Sequence, residues 1–182
     1  RGAFFKKKRP IFNEYLSDME ALGYTNSYQV SNAMDRGIPQ TRERVFCISI
    51  LGNNVFDFSK VKKKPLRPMS DFKQPDDEIE NIEKYVVNIP SMLSRLEDLA
   101  TPEEIERNKS KFRYIKTITD VCNTITERPD RCPSAGVFKM ADGRYRYPTE
   151  REWWRLMGFD DTDFDLMLKE FPQKDKCRSA TL

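Results

Sequence analysis

The 182-residue chain is long enough for one domain or one and a half, and 38% hydrophobic with 34% charged residues predicts a globular fold with a modest core. With a formal net charge of only +3, a nucleic-acid function would depend on how the charges are distributed. The absence of histidine excludes histidine-based acid/base chemistry in these residues, and the four cysteines, with no Cys-x-x-Cys pair, predict free cytoplasmic thiols and no metal site. No apolar run approaches the ~18 residues of a membrane-spanning helix.

Residues 1–51 predict a helix, a strand, a loop and a second strand. Apolar residues recur at helical spacing after Pro10, and Gly23 ends that helix. A short strand is predicted at residues 28–34, and the apolar run at residues 45–51 is typical of a strand buried on both faces. This order suits the end of an α/β sheet.

Three polar residues occupy alternate positions in the loop before the second strand: Gln40, Arg42 and Arg44. In extended backbone, side chains two residues apart share a face, so we expect these three to project together. Two adjacent guanidinium groups repel each other unless an anion lies between them, and each fits a phosphate or a base edge. An edge strand with solvated arginines is the alternative that the pattern leaves open.

The region from residue 52 to residue 143 is more irregular. Its lysine- and proline-rich stretch at residues 60–68 suits either a solvated linker or a phosphate-binding segment. A capping box begins a helix at Thr101. Basic and apolar residues then alternate over residues 109–118, which indicates either an amphipathic surface strand or a surface for a DNA backbone. The basic residues assigned there to DNA binding are Lys111, Arg113 and Lys116.

The last part of the chain predicts a hairpin and two helices. The hairpin turns at Asp142-Gly143, and a second capping box at Thr149 begins the first helix. We expect Trp153 and Trp154 in this helix to pack in a core or between domains rather than to stack on bases.

Two segments resemble motifs of the cytosine-C5 DNA methyltransferases. Residues 32–48 (NAMDRGIPQTRERVFCI) resemble the family's Gln-x-Arg-x-Arg motif, which follows Gly-Ile/Val-Pro. Residues 146–159 (RYPTEREWWRLMGF) resemble its next motif, although Pro148 replaces the usual leucine and Glu150 the usual proline, so the start of the helix should differ locally. The order and the long gap also fit, because in the family the gap holds the target-recognition region. Within that gap, Thr124 and Ile125 resemble a short signature.

The resemblance implies an α/β fold, namely the end of a Rossmann-like methyltransferase sheet, incomplete in this chain, with an inserted small α+β target-recognition domain. It places the C-terminal elements of the catalytic domain at residues 1–51 and the recognition domain at residues 52–143. Residues 144–182 would form a return segment whose helices pack on the recognition domain.

The resemblance further implies a fragment of a bacterial or phage, S-adenosylmethionine-dependent DNA cytosine-C5 methyltransferase, as in restriction–modification systems. The family's cofactor loop and its Pro-Cys-Gln nucleophile loop have no counterpart in these residues. We therefore expect the chain to be inactive alone and to bind no S-adenosylmethionine itself. Its expected partners are double-stranded DNA with a flipped cytosine and a missing N-terminal catalytic half. The alternatives are a separate DNA-recognition subunit that pairs with a catalytic chain, and a non-catalytic module for binding DNA or protein.

The resemblance also assigns roles to individual residues. Arg44 would lie at the flipped cytosine or its phosphate, Arg42 would support the same pocket, and Gln40 would bond to nearby phosphate or backbone. Thr124 and Ile125 would belong to the DNA-binding set. The second motif would organise the recognition region by hydrogen bonds from four residues: Arg146, Arg151, Glu152 and Arg155.

Overall fold

A computed structural model describes residues 9–111, 113–126 and 133–171. The chain divides into two compact units, the first formed by Arg1–Gly37 with Arg42–Leu66 and the second by Ile38–Thr41 with Arg67–Leu182. In this division residues 52–66 belong to the first unit and residues 144–171 to the second, and the predicted functional domains at residues 1–51, 52–143 and 144–182 stay a prediction. Residues 38–41 belong to the second unit although the residues on both sides of them belong to the first.

Short helices and strands make up the fold. In chain order they are α1 (Arg9–Ala21), β1 (Tyr24–Asn32), β2 (Gln40–Thr41), β3 (Glu43–Leu51), α2 (Pro90–Leu93), α3 (Pro102–Asn108), β4 (Cys122–Asn123), β5 (Phe138–Lys139), β6 (Tyr145–Arg146), α4 (Glu150–Leu156) and α5 (Asp161–Glu170). Several single 3-10 turns lie between β3 and α3.

The first unit is an antiparallel ribbon with one helix. Strands β1 and β3 pair from Tyr24 opposite Leu51 to Asn32 opposite Glu43. The ring of Phe12 in α1 meets the ring of Tyr28 in β1 edge to face, 5.3 Å between centroids. The prediction that the second strand is buried on both faces is wrong for this structure, since Phe46 is 53% and Leu51 66% exposed. The apolar run identifies the strand, but the two-stranded ribbon does not cover both of its faces.

The second unit has two apolar clusters and very short strands. One cluster contains Met69, Phe72, Ile118, Cys122, Ile125, Ala135, Phe138, Trp153 and Leu156. The other contains Val87, Leu96, Ile115, Val137, Tyr145 and Tyr147. Strand β2 pairs with β4 in parallel, and β5 pairs with β6 in antiparallel around the predicted Asp-Gly turn. This unit is therefore held by side-chain packing more than by strand ladders.

Both predicted capping boxes are confirmed. Thr101 accepts from the backbone N–H of Glu104 at the start of α3, and Thr149 accepts from that of Glu152 at the start of α4. The predicted strand at residues 109–118 is not a regular strand. Its described residues are irregular apart from isolated bridges at Ile115 and Thr117.

In the ranges that the structure describes, no helix is both long and apolar enough to cross a bilayer. The same ranges contain no group of three or more acidic or cysteine side chains placed to hold a metal ion.

Gly136 lies where a side chain does not fit. Its φ is +114°, and an added Cβ would lie 2.7 Å from both the carbonyl oxygen of Lys116 and Cγ1 of Ile118. Gly143 has φ +86° but nothing within 4 Å of the same added atom.

We expect Gly136→Ala to lower the free energy of unfolding by about 3 kcal/mol, because strain and overpacking add, and Gly143→Ala to lower it by about 1 kcal/mol. Urea unfolding followed by circular dichroism measures both, and equal losses would contradict the close approach.

Candidate nucleic-acid interface

The loop before β3 is fixed by one asparagine side chain. Asn32 Oδ1 accepts from the backbone N–H of Met34 (3.1 Å) and from that of Arg42 (3.3 Å). The carboxylate of Asp35 accepts in turn from the backbone N–H of Asn32 (3.3 Å), which closes a capping box on the 3-10 turn Ala33–Asp35. The N–H of Ala33 donates to the carbonyl oxygen of Arg42 (3.0 Å). The backbone of Arg42 is therefore held at both its N–H and its C=O.

This backbone carries two arginines at alternate positions, and the charge of Arg44 acts on Arg42. Arg42 is half-buried and Arg44 is exposed. Partial burial and then the neighbouring positive charge of Arg44 lower the pKa of Arg42 from its ordinary value. An arginine stays protonated at neutral pH, so the same two effects favour an anion beside the pair. Arg44 Nη1 also donates to the carbonyl oxygen of Glu43 (2.7 Å), which restricts its direction.

Gln40 does not share an exposed face with these arginines, and that prediction is wrong. Its side chain is 1% exposed within the second unit, where Nε2 donates to the carbonyl oxygen of Leu156 (2.9 Å). The reason is that Gln40 pairs with β4, whereas Arg42 is bonded to Ala33 in the first unit. The side chain is buried in this structure, and the predicted DNA contact of Gln40 stays a prediction.

The two signature residues late in the gap also lie against β2. The Thr124 hydroxyl donates to the carbonyl oxygen of Thr41 (2.6 Å). Ile125 is 5% exposed and packs in the first apolar cluster, and its predicted DNA contact stays a prediction. Next to them, burial raises the pKa of the Cys122 thiol to about 12, which keeps it neutral and unsuited to act as a nucleophile.

The three basic residues predicted to bind DNA are exposed: Lys111, Arg113 and Lys116. Arg95 Nη2 donates to the carbonyl oxygen of Arg113 (2.7 Å), and the backbone carbonyl oxygen of Arg95 accepts from the N–H of Ile115 (2.7 Å). Lys116 also lines a hollow of about 640 Å³ together with Lys73 and Lys139. The backbone of residues 113–115 is thus held by hydrogen bonds, and contact of the three basic side chains with DNA stays a prediction.

The second motif forms a buried ionic network. Arg146 is fully buried and donates through both terminal nitrogens to the two carboxylate oxygens of Glu152 (2.8 and 2.9 Å) and through Nε to Asp76 (2.8 Å). Glu152 also accepts from the N–H groups of Gln74 and Thr149 (2.7 Å each). Burial opposes the charge of Arg146, but the two carboxylates outweigh it and raise the pKa of Arg146. The network joins residues 74–76 to α4.

The other two arginines of that motif hold α5. Arg155 makes a two-point ion pair with Asp161 (2.8 and 2.6 Å), and Arg151 Nη2 donates to Asp165 (2.5 Å). The hydrogen bond from Arg155 is the main reason that the pKa of Asp161 lies below its usual value. Together the four motif residues link α4 to its neighbours.

Sequence reasoning missed the partners of this motif. Asp76 and Gln74 carry no signal of their own, because they lie in an acidic, irregular stretch. Tyr85 donates its hydroxyl hydrogen to Glu150, and Lys84 Nζ lies 3.9 Å from the same carboxylate. The replacement of the usual proline by Glu150 was a usable signal, since a buried carboxylate requires such partners.

Comparison with known proteins identifies the class to which this site belongs. The profile of the C-5 cytosine-specific DNA methylases matches residues 1–178. The chain therefore belongs to that family.

Individual relatives agree with the family match. A type II methyltransferase of Lactococcus lactis subsp. cremoris is 37% identical over 166 residues, which cover 88% of this chain and 42% of that protein. A type II methyltransferase of Neisseria gonorrhoeae is 28% identical over 163 residues, which cover 85% of this chain and 46% of that protein. The chain thus spans less than half the length of these curated relatives.

Solved methyltransferase structures share the fold. The Dnmt2 methyltransferase of S. pombe aligns with a TM-score of 0.57 at 18% identity, over 88% of this chain and 52% of that one. The methyltransferase EhMeth of Entamoeba histolytica aligns with a TM-score of 0.55 at 17% identity, over 82% of this chain and 46% of that one. The mixed α/β fold with small sheets is consistent with theirs.

Removing the buried charge of Arg146 should lower the stability of the fold far more than removing the charge of an exposed arginine. We expect Arg146→Met to lower the free energy of unfolding by about 3–5 kcal/mol, because Glu152 is left as an uncompensated buried carboxylate. Adding Glu152→Leu should recover part of that loss. The control Arg144→Met removes an exposed arginine paired with Asp142 and Glu83 and should change the urea midpoint little. A double variant no more stable than Arg146→Met would contradict the pairing argument.

Proposed function

We propose that this chain is the DNA-reading part of a DNA cytosine-C5 methyltransferase and supplies Arg42 and Arg44 to the pocket of the flipped cytosine. The observation that carries the proposal is the double backbone anchor of Arg42 by residues 32–33, two residues before Arg44, whose charge acts on the guanidinium of Arg42. Membership of the methylase family supports the same reading.

The chemistry explains why such a pair is useful. Methylation at C5 requires the cytosine to leave the base stack, and the flanking backbone must be held while it does so. Attack of a thiolate at C6 then builds negative charge on the ring, and fixed cationic donors near that ring lower the barrier. We assign Arg44, which is exposed, to the cytosine or its phosphate, and Arg42, which is half-buried, to the support of Arg44 and of the pocket.

The rest of the reaction is assigned outside these residues. S-adenosylmethionine supplies the methyl group in this family, and no Phe-x-Gly-x-Gly loop is present in the sequence to hold it. None of the four cysteines follows a proline, as the nucleophile of the family does. The exposed apolar side chains of the first unit, such as Phe46 and Leu51, fit a surface that the catalytic half covers, whether that half lies in the same polypeptide or in a separate chain.

The second unit is proposed to read the target site. Its exposed basic residues Lys111, Arg113 and Lys116 would contact phosphates and so set the position of the duplex. We assign to Gln40 and Thr124 a role in holding β2, since Gln40 bonds to Leu156 in α4 and the Thr124 hydroxyl bonds to Thr41 in β2. The buried network of Arg146 keeps the irregular segments of that unit in place.

The purified chain should bind duplex DNA but transfer no methyl group. Fluorescence anisotropy with a labelled duplex should show affinity that falls as salt rises, because binding depends on phosphate contacts. Incubation with tritium-labelled S-adenosylmethionine and the same duplex should leave the DNA unlabelled. Labelled DNA would contradict the assignment of the nucleophile and cofactor site elsewhere, and absence of binding even at low salt would contradict the DNA-reading role.

In the full-length enzyme, Arg44→Ala should reduce the rate of single-turnover methylation by roughly 10²–10³-fold, the usual cost of losing one fixed donor at a developing charge. The exposed side chain contributes little packing, so the urea midpoint should stay nearly unchanged. Arg144→Ala removes an exposed arginine of the β5–β6 hairpin and serves as the control that keeps wild-type activity. Wild-type single-turnover rates for Arg44→Ala would overturn its proposed role.

A further inference from the structure

Residues 60–64 are not a free linker, because they are bonded to the loop that precedes the two arginines. The N–H of Lys64 donates to the carbonyl oxygen of Asp35 (2.9 Å). Arg36 Nη1 donates to the carbonyl oxygens of Lys62 (2.7 Å) and Val61 (3.3 Å). Lys64 forms a parallel bridge with Arg36, and the following proline, Pro65, disfavours helical backbone at Lys64. The segment is thus an anchored piece of the first unit, with extended backbone at Val61 and a bridge at Lys64.

The lysines of this segment fall on two sides. Lys63 pairs with Asp35 (2.8 Å), and this hydrogen bond is the main reason that the pKa of Asp35 is lowered. Successive side chains of extended backbone point to opposite sides, so we expect Lys62 and Lys64 to face away from that carboxylate. Both are exposed, and within the described ranges no carboxylate forms an ion pair with either of them.

We propose that Lys62 and Lys64, here called the lysine strip, contact phosphates of the DNA duplex beside the proposed cytosine pocket. The strip belongs to the same compact unit as Arg42 and Arg44. It is tied to them through the 3-10 turn Ala33–Asp35, whose first residue bonds to Arg42 and whose last holds the strip. The inference rests on the proposed function and adds to it a backbone contact outside the recognition unit.

The spacing favours a polyanion over a small ligand. Side chains two residues apart in extended backbone start about 6–7 Å from each other along a line. Two cations set out in this way match a polymer with regularly repeated charges, whereas a single small anion would require them to converge. Lysine contacts phosphate as a point charge and selects no base, so the strip should hold duplexes of any sequence equally.

The test compares two pairs of substitutions with the same change in net charge, Lys62→Gln with Lys64→Gln and, as control, Arg144→Gln with Lys169→Gln. Both control residues are exposed, and Arg144 is paired with Asp142 and Glu83. Anisotropy titrations of the full chain against two labelled duplexes of unrelated sequence, at several salt concentrations, give the slope of log affinity against log salt. Loss of both strip contacts should reduce that slope by about 1.8, so that a fourfold rise in salt weakens the variant about tenfold less than the wild type.

The expected outcome is a reduced slope for the strip pair on both duplexes, an unchanged slope for the control pair, and recovery in Lys62→Arg with Lys64→Arg. Two results would contradict this inference alone, provided that the wild-type chain binds DNA. In one, the strip pair keeps the wild-type salt slope; in the other, the strip pair and the control pair reduce the slope equally. Either result means that the lysine strip is a solvated surface. If the wild-type chain does not bind DNA at all, the proposed function fails with it. Circular dichroism spectra that match the wild type show that the substitutions leave the fold intact.

Discussion

The structure of the second unit depends on one buried positive charge, the guanidinium of Arg146. Arg146 has no exposed surface, and its guanidinium is stable there only because Glu152 and Asp76 meet it with carboxylates and Gln74 with a carbonyl oxygen. That unit has two-residue strands and single 3-10 turns, which contribute few ladder hydrogen bonds of their own. An unpaired buried charge costs several kcal/mol, so the network ties these irregular pieces to one arrangement around the apolar clusters.

Local signals in the sequence predicted local structure well. The capping boxes at Thr101 and Thr149 and the turn at Gly143 depend on residues within a few positions of one another, and all three are present. The partners of Arg146 and Glu150 could not be read in this way, because Asp76 and Tyr85 lie 70 and 65 residues away from them in the chain. Neither partner has a pattern that distinguishes it from other acidic or aromatic residues.

In the candidate site, too, the sequence pattern indicates what near neighbours in the chain do but not which distant segments they contact. Arg42 and Arg44 stand at alternate positions, and burial and then the charge of Arg44 lower the pKa of Arg42, while their shared role in a site stays a prediction. Gln40 departs from that pattern because pairing with β4 buries it in the other unit. Periodicity describes which side chains share a face only while the strand has one set of neighbours. The pairing partner of the backbone changes between residues 41 and 42, so the periodicity does not hold across this point. No residue type in the motif signals the change.

The placement of residues 38–41 bears on how recognition regions can be exchanged between enzymes of this family. A chimera that transplants residues 52–143 alone takes β4 but leaves behind Pro39, whose carbonyl oxygen accepts from the N–H of Cys122 (2.9 Å). The host enzyme must then supply, from its own arginine motif, a short strand that fits a foreign β4. If residues 52–143 are the recognition region, as proposed, grafting them therefore depends on the compatibility of two residues, Gln40 and Thr41, that lie outside the grafted region.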